Sequence, residues 1–228
     1  LVRDTYVYDQ KLRLILLYYI SEIETSLKNL LCQHTCQKYW NIWWVERSNY
    51  RDTRVFDEVI SYIIESINNW KPKHEQIRKY VEKYTDPLYP PFWNMLEVLT
   101  FWQISKVFKA VDNNIQKSVA TLYGRHSRNL KNWIKIVVET RNMCCHHHYL
   151  YNRKNFSPIL VPRAFRWKDI FEWHERDLFG ILCIIYLLLI SLKLDEKFIE
   201  ELKLLFITFD HIPDIIRKDW EEKMRTLK

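Results

Sequence analysis

Glycine and proline are scarce in this sequence of 228 residues, which has two glycines and seven prolines. Since these residues mark turns, their scarcity argues against a fold with many turns and favours long helices joined by short connections. Disorder is also excluded, because 48% of the residues are hydrophobic and 15% are aromatic. The chain is long enough to bury a sizeable core.

Cysteine is limited to five residues, an odd number whose spacing does not resemble a small secreted scaffold. We therefore expect reduced thiols in a cytoplasmic protein. No signal peptide is recognised, and the longest apolar run, Ile181 to Leu192, is too short to span a bilayer. It is interpreted as a buried helix, and no membrane partner is expected. Because the first residue is Leu1 and not Met, we expect an N-terminal portion to be missing.

Apolar side chains recur at intervals of three and four residues from Tyr8 to Tyr39, which predicts one long helix. Its predicted apolar stripe consists of Leu12, Leu16, Tyr19, Ile23, Leu27, Leu30 and His34. Arg13 and Glu24 are eleven residues apart, close to three full turns, so they project from nearly the same side.

The same reasoning predicts helices along the whole chain, over residues 8–39, 55–70, 72–84, 94–111, 116–123, 128–147, 168–192, 195–206 and 213–225. The segment 155–167, which carries Pro158 and Pro162, is predicted to be a loop. No convincing strand and no internal repeat is found. The prediction is an all-α fold, with residues 1–228 forming a single domain.

Positive charge is concentrated between Thr121 and Phe156. This segment has one acid, Glu139, and contributes +6 to the chain's net charge of +7. Its basic residues are Arg125, Arg128, Lys131, Lys135, Arg141, Arg153 and Lys154. Such a cluster is either a solvated face or a surface that receives phosphates. Aromatic residues are interleaved with the cations, which favours a nucleic-acid surface.

Within this segment, residues 140–156 read TRNMCCHHHYLYNRKNF, and two interpretations of their cysteines and histidines are weak. A zinc ion needs a tetrahedral set of ligands from separate elements, and only Cys32 and Cys36 offer a second pair. A nucleophilic cysteine needs a separate partner, and none is identifiable. The alternative for Cys144 and Cys145 is helix packing.

A third interpretation pairs Arg141 with a histidine to act on a phosphodiester. RNA carries a 2′-hydroxyl beside each phosphate, and a histidine titrating near neutral pH can move that proton. An arginine fork can hold the phosphate and its developing charge. Neither a metal ion nor another cofactor is required.

Three segments of the chain, taken in order, resemble the Abi-like family, the AbiD and AbiF abortive-infection proteins. The family signature Arg-Asn-x-x-Ala-His-His-x-Arg-Leu-Trp-Asn-Arg is matched by Arg141, Asn142, His146, His147, Leu150, Asn152 and Arg153. The family's early Tyr-x-Asp-x-x-Leu-Arg helix is matched by Tyr8 or its neighbour, Leu12, Arg13, Ile23 and Glu24. Its Pro-Pro-x-Trp segment is matched by Pro90, Pro91, Trp93, Glu97, Phe101 and Ser105, and Trp133 matches the tryptophan before the signature.

The resemblance implies a HEPN-like helical bundle with additional helices and an Arg-x(4–6)-His ribonuclease motif in the region 125–156. It also implies a homodimer, because such ribonucleases pair two motifs in one composite site. The implied function is metal-independent RNA cleavage in defence against phage, by a toxin that a noncoding RNA restrains. RNA is the expected partner, and no DNA specificity is expected.

The choice among the three histidines is open on geometry. On a regular helix His146 lies about 140° from Arg141, whereas His148 returns to within about 20°. The family pattern instead favours His146, and a helix end or a π-type irregularity at Cys144 and Cys145 would reconcile the two. We predict Arg141 and His146 as catalytic, with Asn142 and His147 orienting them.

The remaining candidates are assigned to RNA binding or to support. RNA binding is predicted for Arg125, Arg128, Lys131, Lys135, Asn152, Arg153 and Lys154, although Asn152 and Arg153 could instead only brace a loop. Glu24, Arg13 and His148 are possible supporting residues.

This chain departs from the family at Cys145, Tyr149, Tyr151 and Trp102, which stand where the family has alanine, arginine, tryptophan and glycine. Two rival functions are an RNA-binding protein with an idle site, bound to a dedicated noncoding RNA, and a zinc-stabilised interaction protein.

Overall fold

The computed structural model describes residues 2–154, 156–161, 174, 176–212 and 219–228. The chain divides into two compact units. The first unit comprises Leu1–Thr25 and Tyr123–Lys228, and the second comprises Ser26–Leu122. Helix α1, Val2–Lys38, runs through both units.

The rest of the first unit is built from four further helices in its described part. They are α8 (Ser127–Cys145), α9 (Leu178–Leu189, continued by a 3₁₀ turn over Ile190–Leu192), α10 (Asp195–Thr208) and α11 (Trp220–Arg225). Every residue of α9 is buried, so this helix is the centre of the unit. The apolar run in the sequence is therefore explained by a core helix, as predicted.

The buried stripe of α1 follows the predicted positions up to Leu27 and then shifts by one residue. Leu31 and Thr35 are fully buried, whereas Leu30 and His34 are half-buried. The prediction for Leu30 and His34 is therefore wrong. Thr35 can replace an apolar residue in the stripe because its hydroxyl donates to the carbonyl of Leu31, at 2.7 Å.

The second unit contains shorter helices in addition to the end of α1. They are α2 (Thr53–Val55), a π-helical turn (Phe56–Ile60), α3 (Ser61–Asn68), α4 (Glu75–Lys83), α5 (Phe92–Val98), α6 (Phe101–Ala110) and α7 (Asn113–Leu122). Two 3₁₀ turns, Trp43–Val45 and Arg47–Asn49, follow α1.

The helix predicted over residues 94–111 is in fact two helices, which Leu99 and Thr100 separate. Thr100 begins α6 with a capping box: its hydroxyl accepts from the Gln103 N–H, and the Gln103 side chain accepts from the Thr100 N–H. This pattern satisfies two backbone donors at a helix start and therefore favours a new helix over continuation.

The helix predicted from Lys168 begins later, at Leu178. Asp177 caps it by accepting from the backbone N–H of Gly180, at 2.9 Å, and His174 and Arg176 before it are not helical. Most of the predicted loop 155–167, the start of this predicted helix and the first part of the helix predicted over 213–225 lie outside the described residues.

The all-α prediction is confirmed. The described part of the chain contains helices and turns, and its β-type pairing is limited to an isolated bridge between Lys154 and Asp177. None of the helices in that part combines the length and the apolar character that crossing a bilayer requires.

Candidate functional site

Helix α8 carries Arg141 close to its C-terminal end, at the edge of its buried face. Trp133, Val137, Thr140 and Cys144 are buried and mark that face at helical spacing. Arg141 lies between Thr140 and Cys144 along the chain and is half-buried. Its guanidinium Nη1 is 3.5 Å from the Asn142 side-chain oxygen. The charge is therefore held at a protein surface and not in the core.

The three histidines form the end of α8, which is a Schellman motif. His147 adopts a left-handed conformation with φ 55°. The N–H of His148 donates to the Met143 carbonyl at 2.9 Å, and the N–H of His147 donates to the Cys144 carbonyl at 3.2 Å. The helix thus ends at Cys145, so the regular-helix phase that favoured His148 does not extend to that residue.

All three histidine side chains are exposed, as is the preceding Cys145. The rings of His146 and His148 have their centroids 6.2 Å apart. Arg141 and Asn142 therefore share one helix end with imidazoles that solvent, or a ligand, can reach. Which imidazole moves a proton stays a prediction, and His146 remains our choice.

Replacing His147 with glycine is expected to raise the free energy of unfolding by about 0.5–1 kcal/mol. The left-handed conformation strains a residue that has a Cβ, and glycine removes that strain at some cost in chain entropy. Urea denaturation would measure the change. Asn152→Gly is the matched control, because Asn152 is also left-handed (φ 52°) and asparagine tolerates this region. A loss of stability in His147→Gly would contradict the prediction.

A buried residue that the sequence analysis missed, Asp9, lies under the segment that follows the histidines. Its Oδ1 accepts from the backbone N–H groups of Leu150 and Tyr151, at 2.8 and 2.7 Å. Its other oxygen pairs with Arg13, one turn along α1. Asp9 is 0% exposed and Arg13 is 5% exposed. The sequence signals for the pair were the i, i+4 spacing of an acid and a base on α1 and the Asp-x-x-Leu-Arg part of the family motif, which Asp9 and Arg13 match.

Arg13 reaches the same segment from α1. The Nη1 of Arg13 is 3.4 Å from the carbonyl oxygen of His148. Glu24 lies eleven residues further along α1, or about 16 Å at 1.5 Å per residue. The structure therefore brings Arg13 to the histidine segment, and Glu24 lies about three turns away from Arg13 on the same helix.

Arg125, one of the predicted RNA-binding residues, packs against the protein. Its guanidinium carbon is 5.5 Å from the centroid of the Trp133 ring, in a cation–π arrangement. Burial lowers the pKa of Arg125 to about 10. Since its charged group is partly withdrawn from water and stacked on an indole, Arg125 is less accessible to a phosphate than an exposed cation such as Arg128.

The other predicted RNA-binding residues are more open. Arg128, Lys135, Asn152 and Lys154 are exposed, and Lys131 and Arg153 are half-buried. Lys135 is 3.5 Å from Glu139, and the Arg153 guanidinium is 5.8 Å from the Phe156 ring centroid. Asn152 is the left-handed residue of a turn that the Arg153 N–H closes onto the Leu150 carbonyl, so it has a structural role whatever else it does.

The cysteines are free thiols in the structure. Burial raises the pKa of Cys144 to about 12, so this thiol is protonated near neutral pH and is a poor nucleophile. Cys32 and Cys36 have their sulfur atoms 3.8 Å apart in the second unit, and burial also raises their pKa values. The part of the chain that the structure describes has no group of three or more His, Cys, Asp or Glu side chains that could hold a metal ion.

The residues at which the chain departs from the family pattern are accommodated by the structure. Tyr149 is 48% exposed, and its ring lies edge-on to that of Tyr151 at 6.0 Å. Tyr151 packs edge-on against the buried Tyr8 at 6.1 Å. Trp102 is 46% exposed on α6, with the Lys106 ammonium 4.3 Å from its ring centroid, so it does not crowd a close-packed position.

Comparison with known proteins gives one family match. The family described as Abi-like protein matches residues 2–152, about two thirds of the chain. The matched segment contains α1, the whole second unit, α8, the histidines and the Leu150–Tyr151 amides that bind Asp9. No curated protein and no solved structure matches the chain.

Proposed function

The chain belongs to the Abi-like family, which indicates a function in abortive infection, and from this premise we propose that it is a metal-independent endoribonuclease. The observation that carries the proposal is the end of α8, where Arg141 and Asn142 lie in the last helical turns and three exposed histidines follow, all inside the matched segment. A guanidinium and an imidazole are sufficient for cleavage beside a 2′-hydroxyl.

The proposed chemistry is transphosphorylation. Arg141 holds the non-bridging oxygens of the scissile phosphate. His146, in its neutral form, takes the proton of the 2′-hydroxyl, whose oxygen then attacks phosphorus. The bond from phosphorus to the 5′-oxygen breaks, and that oxygen leaves as a hydroxyl after it receives the proton that the His146 imidazolium now carries, which restores the neutral imidazole. The products are a 2′,3′-cyclic phosphate and a 5′-hydroxyl, and no oxidant, metal or covalent enzyme intermediate takes part.

The exposed cations of the basic segment 121–156 support RNA as the substrate. Arg128, Lys135 and Lys154 are exposed cations in the same basic segment of the sequence. Tyr149 offers a half-exposed ring next to the histidines in the chain, and such rings stack on unpaired bases. Single-stranded RNA, whose bases are free to stack, is therefore the preferred form of the substrate.

The proposal is tested by incubating the protein with a labelled single-stranded RNA in EDTA, beside a DNA of the same sequence. We expect the RNA to be cut, with cyclic-phosphate ends, and the DNA to stay intact. Tight, salt-sensitive RNA binding without turnover would replace this proposal with that of an RNA-binding protein whose site is idle.

The proposed active form is a homodimer, and an apolar groove on the first unit is the surface we assign to it. The groove has a cavity volume of about 400 Å³ between α1 and α10. Leu14 and Leu204 line it and are 61% and 69% exposed. Lys11 lies on the α1 side and Glu201 on the α10 side. In a two-fold pairing each Lys11 faces the other copy's Glu201, so the groove is complementary to itself and not to a polyanion.

Replacing Leu204 with glutamate is expected to convert the dimer into a monomer, because one new carboxylate from each copy would be buried in the apolar contact. Light scattering after size exclusion would measure the mass, which for the wild type is expected to be about twice 28.2 kDa. Leu122→Glu is the matched control, since Leu122 is 52% exposed in the second unit. A monomeric wild type, or a dimer that survives Leu204→Glu, would exclude this surface.

A further inference from the structure

A buried ion pair on α1 anchors the segment that carries the histidines. The backbone of residues 146–153 is irregular, with left-handed residues at His147 and Asn152. It is attached to α8 at one end through the Met143 carbonyl. At the other end it is attached to α1 through both N–H groups that bind Asp9. Hydrogen bonds therefore hold the histidine segment at both of its ends, to α8 and to α1.

The two members of the ion pair have different tasks. Asp9 uses one oxygen to accept both amide groups and the other to bind Arg13. A carboxylate that is wholly withdrawn from water needs a counter-charge, and Arg13 provides it from one turn away. Arg13 is itself 5% exposed, so it is not available as a contact for RNA phosphates.

The geometry points to Asp9 as a positioning residue that sets the backbone of the histidine segment for catalysis, with Arg13 as its neutralising partner. For its effect on cleavage this inference rests on the proposed function, whereas the anchoring itself does not. A proton-transfer group displaced by about 1 Å can lose on the order of 10²-fold in rate. Asp9 acts at a distance from the RNA, through the amides of Leu150 and Tyr151.

The test measures amide hydrogen exchange of the peptide that covers residues 146–153, together with cleavage kinetics. In Asp9→Ala we expect this peptide to lose protection, because its two amides lose their acceptor. We expect kcat to fall by about 10²-fold while KM for RNA changes by less than about twofold. Asp210→Ala, which removes an exposed carboxylate after α10, is the control and should change neither quantity.

A second variant keeps the test decisive if Asp9→Ala does not fold. The double variant Asp9→Asn/Arg13→Gln removes both buried charges but keeps an oxygen that can accept from the two amides. We expect it to retain the protection of residues 146–153 and to recover most of kcat. If Arg13 instead contacted RNA, KM would rise in the double variant and the assignment would be wrong.

Failure of this inference is distinguishable from failure of the proposed function. If the wild type does not cut RNA, the exchange measurement still decides whether Asp9 anchors the segment. Unchanged protection in folded Asp9→Ala, or loss of protection in the double variant, would overturn the anchoring. Lost protection with an unchanged kcat would overturn the positioning role in an enzyme that is active.

Discussion

Replacing His146 with alanine is expected to slow RNA cleavage by about 10²–10⁴-fold, the range that positioned general acid–base groups contribute. Arg141→Ala is expected to cost about 10²–10³-fold, since it removes the donors that stabilise charge on the phosphate. The two losses should differ in kind: His146→Ala should still bind RNA, whereas Arg141→Ala should also bind it more weakly. Single-turnover cleavage and RNA-binding affinity, measured separately, resolve the two effects.

A matched control for these variants lies at the opposite end of the same helix. His126 precedes α8, is exposed, and makes no side-chain capping bond. It is about 30 Å from His146 along the axis, so His126→Ala should leave cleavage unchanged. Cleavage that persists in His146→Ala and disappears in His148→Ala would transfer the role to His148. Persistence in all three single-histidine variants would contradict the proposed site.

Replacing Asp9 with alanine is expected to lower the free energy of unfolding by about 3–5 kcal/mol, because it leaves a buried guanidinium without its counter-ion. The buried N–H of Leu150 and the partly buried N–H of Tyr151 also lose their acceptor, which adds to the cost. This is a large part of the total stability of a typical domain, so the midpoint of urea denaturation should fall clearly.

The isolated charge, and not the lost volume, is the expected cause of this destabilisation. The double variant Asp9→Asn/Arg13→Gln should therefore be more stable than Asp9→Ala, although it changes more atoms. Asp57→Ala is a useful comparison, because Asp57 also pairs with an arginine, Arg47, whose side chain is 54% exposed. Exposed pairs contribute about 0–1 kcal/mol, so its effect should be small. Equal effects in Asp9→Ala and Asp57→Ala would contradict this account.

The sequence alone predicted the all-α fold and the position of the candidate site on α8, because both follow from periodic apolar residues and a local motif. Helix ends were predicted less well. The break before α6 follows from the capping box that Thr100 begins, Thr-Phe-Trp-Gln, and this pattern can be recognised in the sequence. The end of α8 could not be recognised in the sequence, because His147 occupies a left-handed position where glycine is usual.

Asp9 shows why the rest of the site could not be predicted. Its partners Leu150 and Tyr151 are more than 140 residues away and contribute backbone amides, which have no signature in a sequence. The motif on α1 contained the aspartate, but only the fold gives it a function. Similarly, the sequence does not distinguish Arg125 from Arg128. In the structure Arg125 stacks on Trp133, whereas Arg128 is exposed.

The most direct test of the central claim uses an RNA in which one nucleotide, on the 5′ side of a mapped cleavage point, lacks its 2′-hydroxyl. If the 2′-oxygen attacks phosphorus, the protein in EDTA will cut every other site in this RNA and leave that bond intact, and the remaining products will end in 2′,3′-cyclic phosphate. Cleavage at the substituted bond, or no cleavage of any RNA by the correctly assembled wild-type protein, would contradict the account.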